Sequence, residues 1–130
     1  MISRRVLVLS GLLVTALAGS QLHAAASKSF TDKAFSAAQA TGKPILIDVF
    51  ATWCPTCKAQ DIILSELGQS PTFKDLIVFK VDFDTRKETL KRFGVRSQST
   101  LIVFKGQTEV GRSVGDTNPS SIEALLRKAL

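Results

Sequence analysis

The run Ile45 to Ala51 (ILIDVFA) constrains this chain more than any other stretch. It is apolar except for Asp48, and it leads through Thr52 and Trp53 into Cys-Pro-Thr-Cys. An unbroken apolar run, rather than an alternation, suits a strand covered on both faces. Pro55 is tolerated in the first turn of a helix. Beyond it Ile62, Ile63, Leu64 and Leu67 supply an apolar face, and Gly68 ends the pattern. A buried strand that turns into a helix at Cys54 implies layered α/β architecture.

The remaining pattern agrees. A helix is expected before that strand, capped by Thr31, with Asp32 in its first turn, Ala34, Phe35, Ala37 and Ala38 on one face, and a stop at Gly42 and Pro44. SPTFKDL reads as a short turn or helix, and Ile77 to Phe83 as a second strand. The segment from an Asp84 cap to a Gly94 stop reads as an amphipathic helix. Thr100 to Gly106 and EVGRSVG form a third and fourth strand, paired as a hairpin across Gly106 and Gln107. The last helix is capped by Thr117 or Asn118, opens on Pro119, and turns Ile122, Leu125, Leu126 and Leu130 inward. The order α-β-α-β-α-β-β-α predicts a central mixed, mostly parallel sheet of about four strands flanked by helices on both faces.

The head of the chain reads differently. Arg4 and Arg5 precede an uncharged apolar run from Val6 to Ala18, and small residues follow at Ala24 and Ala26. This is the pattern of a secretory signal peptide over residues 1–26, cleaved after Ala26 or Ala24. The run is about thirteen residues, short of the roughly 20 that a membrane-spanning helix needs. A retained anchor is the alternative, and Ser3-Arg4-Arg5 partly matches a twin-arginine signal. Without Arg4 and Arg5 the domain 27–130 holds 15 basic and 11 acidic residues, a net charge of +4. Lys91 to Arg96 is its densest basic stretch. With no aromatic residues interleaved on one face, it reads as a solvated helix end and not a nucleic-acid site. The only histidine, His23, lies in the signal. That leaves the domain without Cys–His protease chemistry and without a histidine-containing metal site.

Cys54 and Cys57 are the only cysteines. As a structural staple they would close a tiny loop and stabilise little. As zinc ligands they would need a second copy of the chain to complete four thiolates. A C-x-x-C beside a βαβ pattern reads as a redox pair. At a helix N-terminus the dipole and unpaired N–H groups stabilise a Cys54 thiolate. Cys54 is then the attacking thiol and forms a mixed disulfide with the substrate. Cys57, one turn in and partly covered, resolves it. Trp53 would shield the pair on one side.

From Phe30 to Leu130 these segments resemble the thioredoxin superfamily, and the wording TGKPILIDVFATWCPTCK is similar to exported bacterial thioredoxin-like proteins. The resemblance implies the thioredoxin fold and a Cys54–Cys57 dithiol/disulfide. Asp48 matches the family's buried acid beneath the pair, a group that burial makes harder to ionise and that suits proton exchange with Cys57. Lys80 falls where the family often pairs a lysine with that acid. Pro55, Thr56, Gln98, Ser99 and Thr100 fall along the substrate-binding edge. The family has a cis-proline where this chain has Ser99. A non-proline cis bond costs about 2.5–4 kcal/mol, so the Gln98–Ser99 bond is expected to be trans.

The Pro55–Thr56 dipeptide lacks the histidine of the oxidising and isomerising branches. The resemblance therefore implies a periplasmic thiol–disulfide oxidoreductase, a reductase of protein disulfides fed by a membrane thiol donor and acting as a monomer. An oxidase of the same fold, and a metal- or client-binding module in which Ser99 replaces the proline, are the alternatives. No G-x-G-x-x-G or P-loop signals a cofactor.

Overall fold

A computed structural model describes residues 27–130; the expected signal segment, with His23, lies outside the described residues. The elements run β1 (Ser27–Ser29), α1 (Asp32–Ala40), β2 (Pro44–Phe50), α2 (Pro55–Gly68), a short 3-10 turn (Pro71–Phe73), β3 (Ile77–Asp82), α3 (Lys87–Phe93), β4 (Thr100–Lys105), β5 (Thr108–Val114) and α4 (Pro119–Arg127). Among the described residues no helix is long and apolar enough to cross a membrane.

The strands form one sheet in the order β1-β3-β2-β4-β5. This is the expected α/β class with one strand more than the sequence suggested. The added strand, Ser-Lys-Ser, carries no apolar signal and is held by parallel backbone pairing to β3. β3 runs parallel to β2, whereas β4 pairs antiparallel to both β2 and β5. The sheet is therefore mixed, as expected: β4 alone runs against the other four strands.

Strand residues alternate between two cores. Ile45, Ile47, Val49, Phe79, Val81, Ile102 and Phe104 face α1 and α3, where Phe30, Phe35, Ala38 and Leu90 meet them. Leu46, Val78, Leu101 and Val103 face α2 and α4, against Ile63, Ile122, Leu125, Leu126 and Ala129. Gly111 of β5 permits the approach of α4: a Cβ there would lie 2.8 Å from Leu125 Cδ1.

Several caps follow the expected chemistry. Thr31 accepts from Ala34 N, and Asn118 accepts from Ser121 N with Pro119 at the first helical position. Gly94 closes α3 at φ 64°, where a residue without a Cβ is unstrained. Asp84 does not cap α3, which starts later, after Arg86 and with no side-chain cap; its carboxylate is engaged elsewhere. Ile62 and Leu130 point into solvent rather than inward, Ile62 being 63 % exposed.

Candidate active site

The site lies where β2 gives way to α2. The chain leaves the sheet at Phe50, and Cys54 N donates to Ala51 O at 3.2 Å, closing a turn. Cys54 is the extended residue that caps α2, and Pro55 takes the first helical position, where no N–H is required. The Cys54 Sγ accepts the Cys57 backbone N–H at 3.1 Å. The two sulfurs are joined in a disulfide with Cα atoms 5.3 Å apart. No acidic side chain occupies the first turn of α2 to offset its positive end. The polarity of the helix therefore favours negative charge on Cys54.

Burial does not separate the two sulfurs. Cys54 is 2 % exposed and Cys57 3 %, with Ala51, Phe50 and Phe83 packed against them. The distinction between them lies in Cys54's place at the helix N-terminus. Trp53 is 58 % exposed, so it is not a core tryptophan. Its Nε1 donates to Asp84 Oδ2 at 2.8 Å. That bond ties the loop before Cys54 to the segment after β3, and it accounts for the carboxylate that does not cap α3.

Asp48 stands in β2 on the face covered by α2, where Leu46 is its apolar predecessor. Lys80 of β3 is its register partner. Lys80 Nζ donates to Asp48 Oδ2 at 2.8 Å and to Asp61 Oδ1 of α2 at 2.5 Å, and it lies 4.9 Å from the centre of the Phe50 ring. Burial pushes the Asp48 carboxyl above the ordinary aspartate value, and the Asp61 charge adds to that. The Lys80 charge and hydrogen bond pull the other way without cancelling the rise. For Lys80 burial is the largest single influence and acts downward. Its two carboxylate partners together outweigh it, and the ammonium is held above its ordinary range. The pair thus contains a lysine that stays charged and an acid that is reluctant to ionise.

The loop before β4 reaches the same end of the sheet, because Thr100 pairs with Val49. Among the described residues no peptide bond is cis, and Ser99 instead takes φ 55°. The expected trans bond is thus accommodated by a left-handed serine. Ser99 is buried, and its hydroxyl donates to Gln98 O at 2.6 Å. Thr100 Oγ1 donates to Ser97 O at 2.7 Å. Gln98 is half-buried, Pro55 exposed and Thr56 half-buried.

Two residues that sequence reasoning passed over complete the arrangement. Gln60 is fully buried, and its Nε2 donates to Ser99 O at 3.2 Å and to Asp116 O at 2.9 Å. It ties the active-site helix to the loop that carries Ser99. The signal was a polar residue three positions after Cys57, on the face that the apolar residues of α2 share. The other is Asp61, four positions after Cys57 and so on the same side of the helix. Among the described residues no cluster of three or more His, Cys, Asp or Glu side chains could hold a metal ion.

A dithiol/disulfide at a helix N-terminus can exchange disulfides, and the strand that leads into it carries a buried acid, paired with a lysine, that can hold a proton. Comparison with known proteins gives the same chemistry. The family model described as thioredoxin matches residues 26–128. The chain is 42% identical over 106 residues to thioredoxin of Mycobacterium tuberculosis, covering 78% of this chain and 88% of that one. It is 34% identical over 105 residues to thioredoxin of Alicyclobacillus acidocaldarius, covering 81% and 99%. The solved structure of Trxlp from Edwardsiella tarda superposes with a TM-score of 0.75 at 48% identity, covering 78% of this chain and 98% of that one. The chain belongs to the thioredoxin family, and it is a thiol–disulfide oxidoreductase whose redox centre is the Cys54–Cys57 pair.

Proposed function

We propose that this oxidoreductase is an exported, periplasmic reductase of protein disulfides, acting as a monomer and recharged by a membrane thiol donor. The signal pattern of residues 1–26, ending at Ala24 or Ala26, supports export. The observation that carries the direction of electron flow is the Cys-Pro-Thr-Cys segment. Its two inner residues offer no imidazolium to stabilise the Cys54 thiolate, and a strongly stabilised thiolate is what makes a disulfide oxidising.

In the reductive half-reaction the Cys54 thiolate attacks one sulfur of the client disulfide. A Cys54–client bond forms, and the other client sulfur leaves as a thiolate that takes a proton from water. Cys57 gives its proton to the Asp48 carboxylate and attacks Cys54 Sγ. The Cys54–Cys57 bond forms, the second client sulfur departs, and two electrons have passed to the client. A donor dithiol reverses the sequence. Lys80 fixes the Asp48 carboxylate. Trp53, Pro55, Thr56, Gln98, Ser99 and Thr100 form the rim against which the client strand lies.

The test is the equilibrium reduction potential of the pair in residues 27–130, measured against glutathione or dithiothreitol buffers. A value near about −270 mV, as in thioredoxin, is expected. A value near about −120 mV, as in a strong disulfide-forming oxidant, overturns the direction and makes the protein a donor of disulfides.

A further inference from the structure

The shared lysine carries an inference beyond exchange at the cysteines. Lys80 is a single ammonium between two carboxylates: 2.8 Å from Asp48, whose side chain is almost wholly buried, and 2.5 Å from Asp61, whose side chain is 54 % exposed. With all three groups ionised the cluster carries one net negative charge. Protonating Asp48 removes that excess and leaves Lys80 and Asp61 as a neutral pair. Without Asp61, protonating Asp48 would leave a half-buried ammonium with no partner among these groups, an unfavourable state.

A recess of about 90 Å3 reaches this cluster. It is lined by Asp48, Lys80 and Asp61 together with Ser27, Leu64 and Ser65. That volume admits a few water molecules at about 30 Å3 each, and its polar walls supply their hydrogen bonds. Asp48 is otherwise closed off from solvent, whereas Asp61 lines the same recess and is half in water.

We propose that Asp61 is a positioning residue for disulfide exchange: it holds Lys80 between two carboxylates, so that Asp48 can take the Cys57 proton without stranding the ammonium, and it stands where the recess leading to Asp48 meets water. The proposal rests on the reading that Asp48 serves Cys57. The proton balance is complete within it. Cys57 loses H+ to Asp48 in the resolving step, and Asp48 then loses it to water in the recess. The other charged groups nearby do not duplicate this role. On β3, Asp82 accepts from Asp84 N. On β1, Lys28 lies over the Phe79 ring. On α4, Arg127 is paired with Glu123. On α2, Lys58 is exposed, and β4 presents the uncharged Leu101 opposite Asp48.

The test compares the parent domain with Asp61→Asn, Asp61→Glu and Asp48→Asn. Insulin is the disulfide substrate, dithiothreitol the donor, and the rate is followed from acid to alkaline pH. The protonation of Asp48 is read in parallel from its carboxyl carbon by NMR. Asp61→Asn removes a negative charge that opposes ionisation of Asp48 and hands Lys80 to Asp48 alone. The Asp48 midpoint should therefore fall, with a roughly three- to tenfold smaller protonated fraction at the parent midpoint. The Asp48-dependent step of the rate profile should move to lower pH with it, and Asp61→Glu should restore both. If Asp61→Asn leaves both midpoints at the parent values while Asp48→Asn abolishes the step, the inference is wrong and the role of Asp48 stands. If Asp48→Asn keeps the step unchanged, the reading of Asp48 fails, and the inference fails with it.

Discussion

Apart from Thr100, buried beside Val49 at the site end, the face of the sheet under α1 and α3 is built from apolar side chains, and the face under α2 and α4 is not. On the first face Phe35 meets Phe30, Phe79, Phe93 and Phe104 with ring centres 5.3–6.0 Å apart, in tilted or edge-to-face contact. On the second face Leu46 is followed two residues later by Asp48, Val78 by Lys80, and helix α2 turns Gln60 inward. The polar substitutions all fall toward the end of the sheet where Cys54 and Cys57 sit. Stability and chemistry are therefore drawn from opposite sides of the same strands. The aromatic side can offset the cost of a buried acid because its phenylalanine cluster is given to packing alone.

Breaking the aromatic face tests that division most strongly. Phe35→Ala removes a side chain that is 1 % exposed and in contact with four other rings. The expected loss is about 3–5 kcal/mol, from transfer and cavity together. That is a large share of the roughly 5–15 kcal/mol available to a domain of this size. Urea unfolding measures it. The reduction potential of the fraction that remains folded should not change, since no Phe35 contact reaches the cysteines. A potential that moves with Phe35→Ala would show that the two faces are coupled.

The opposite sign is expected on the other face. Asp48 is harder to ionise folded than unfolded, chiefly because it is buried. The folded state then holds more protons than the unfolded state in the window between the ordinary aspartate value of 3.8 and the raised one. Stability therefore falls as pH rises through that window. Asp48→Asn keeps the shape and removes the charge, while Lys80 retains Asp61. It should stabilise the domain at neutral pH by on the order of 1–3 kcal/mol. It should bring little change below the ordinary carboxylate range, and it should slow disulfide exchange. Denaturant titrations at acidic and neutral pH, set beside turnover with insulin, check all three. A neutral-pH stability equal to the parent's would mean that Lys80 and Asp61 already compensate the buried charge in full.

The contrast between the faces was only half legible in the sequence. The apolar runs show the central strands and the 3.6-residue spacing shows the helices, because both patterns are local and both cores are apolar. Asp48 stood out for the same reason, as one charge in a seven-residue apolar run. β1 did not, because three polar residues paired only through their backbone leave no pattern in side chains. The Asp84 cap failed because a carboxylate near a helix start has competing partners, and here the Trp53 indole takes it. Gln60 and Asp61 were missed because their roles depend on what α2 packs against: the Ser99 carbonyl in one case and Lys80 in the other. Neither neighbour is close in the chain.

Ser99 gives the smallest effect and the clearest reading of how the site end of the sheet is held. Its φ of 55° lies in the left-handed region, which costs a residue with a Cβ about 1–2 kcal/mol. Several bonds hold it there. Its carbonyl accepts from Gly115 N at 2.9 Å and from Gln60 Nε2, and its hydroxyl donates to Gln98 O. Ser99→Ala keeps the Cβ and loses the hydroxyl bond, so it should cost about 1 kcal/mol. Ser99→Gly loses the same bond but relieves the left-handed penalty, against about 0.5–1 kcal/mol of added chain entropy. The glycine variant should therefore match or exceed the alanine variant in melting temperature, the reverse of their usual order within regular structure. If alanine is clearly the more stable of the two, position 99 does not carry left-handed strain in solution. The Gln60 bond would then hold a relaxed loop, and the site end of the sheet would be as unstrained as its aromatic face.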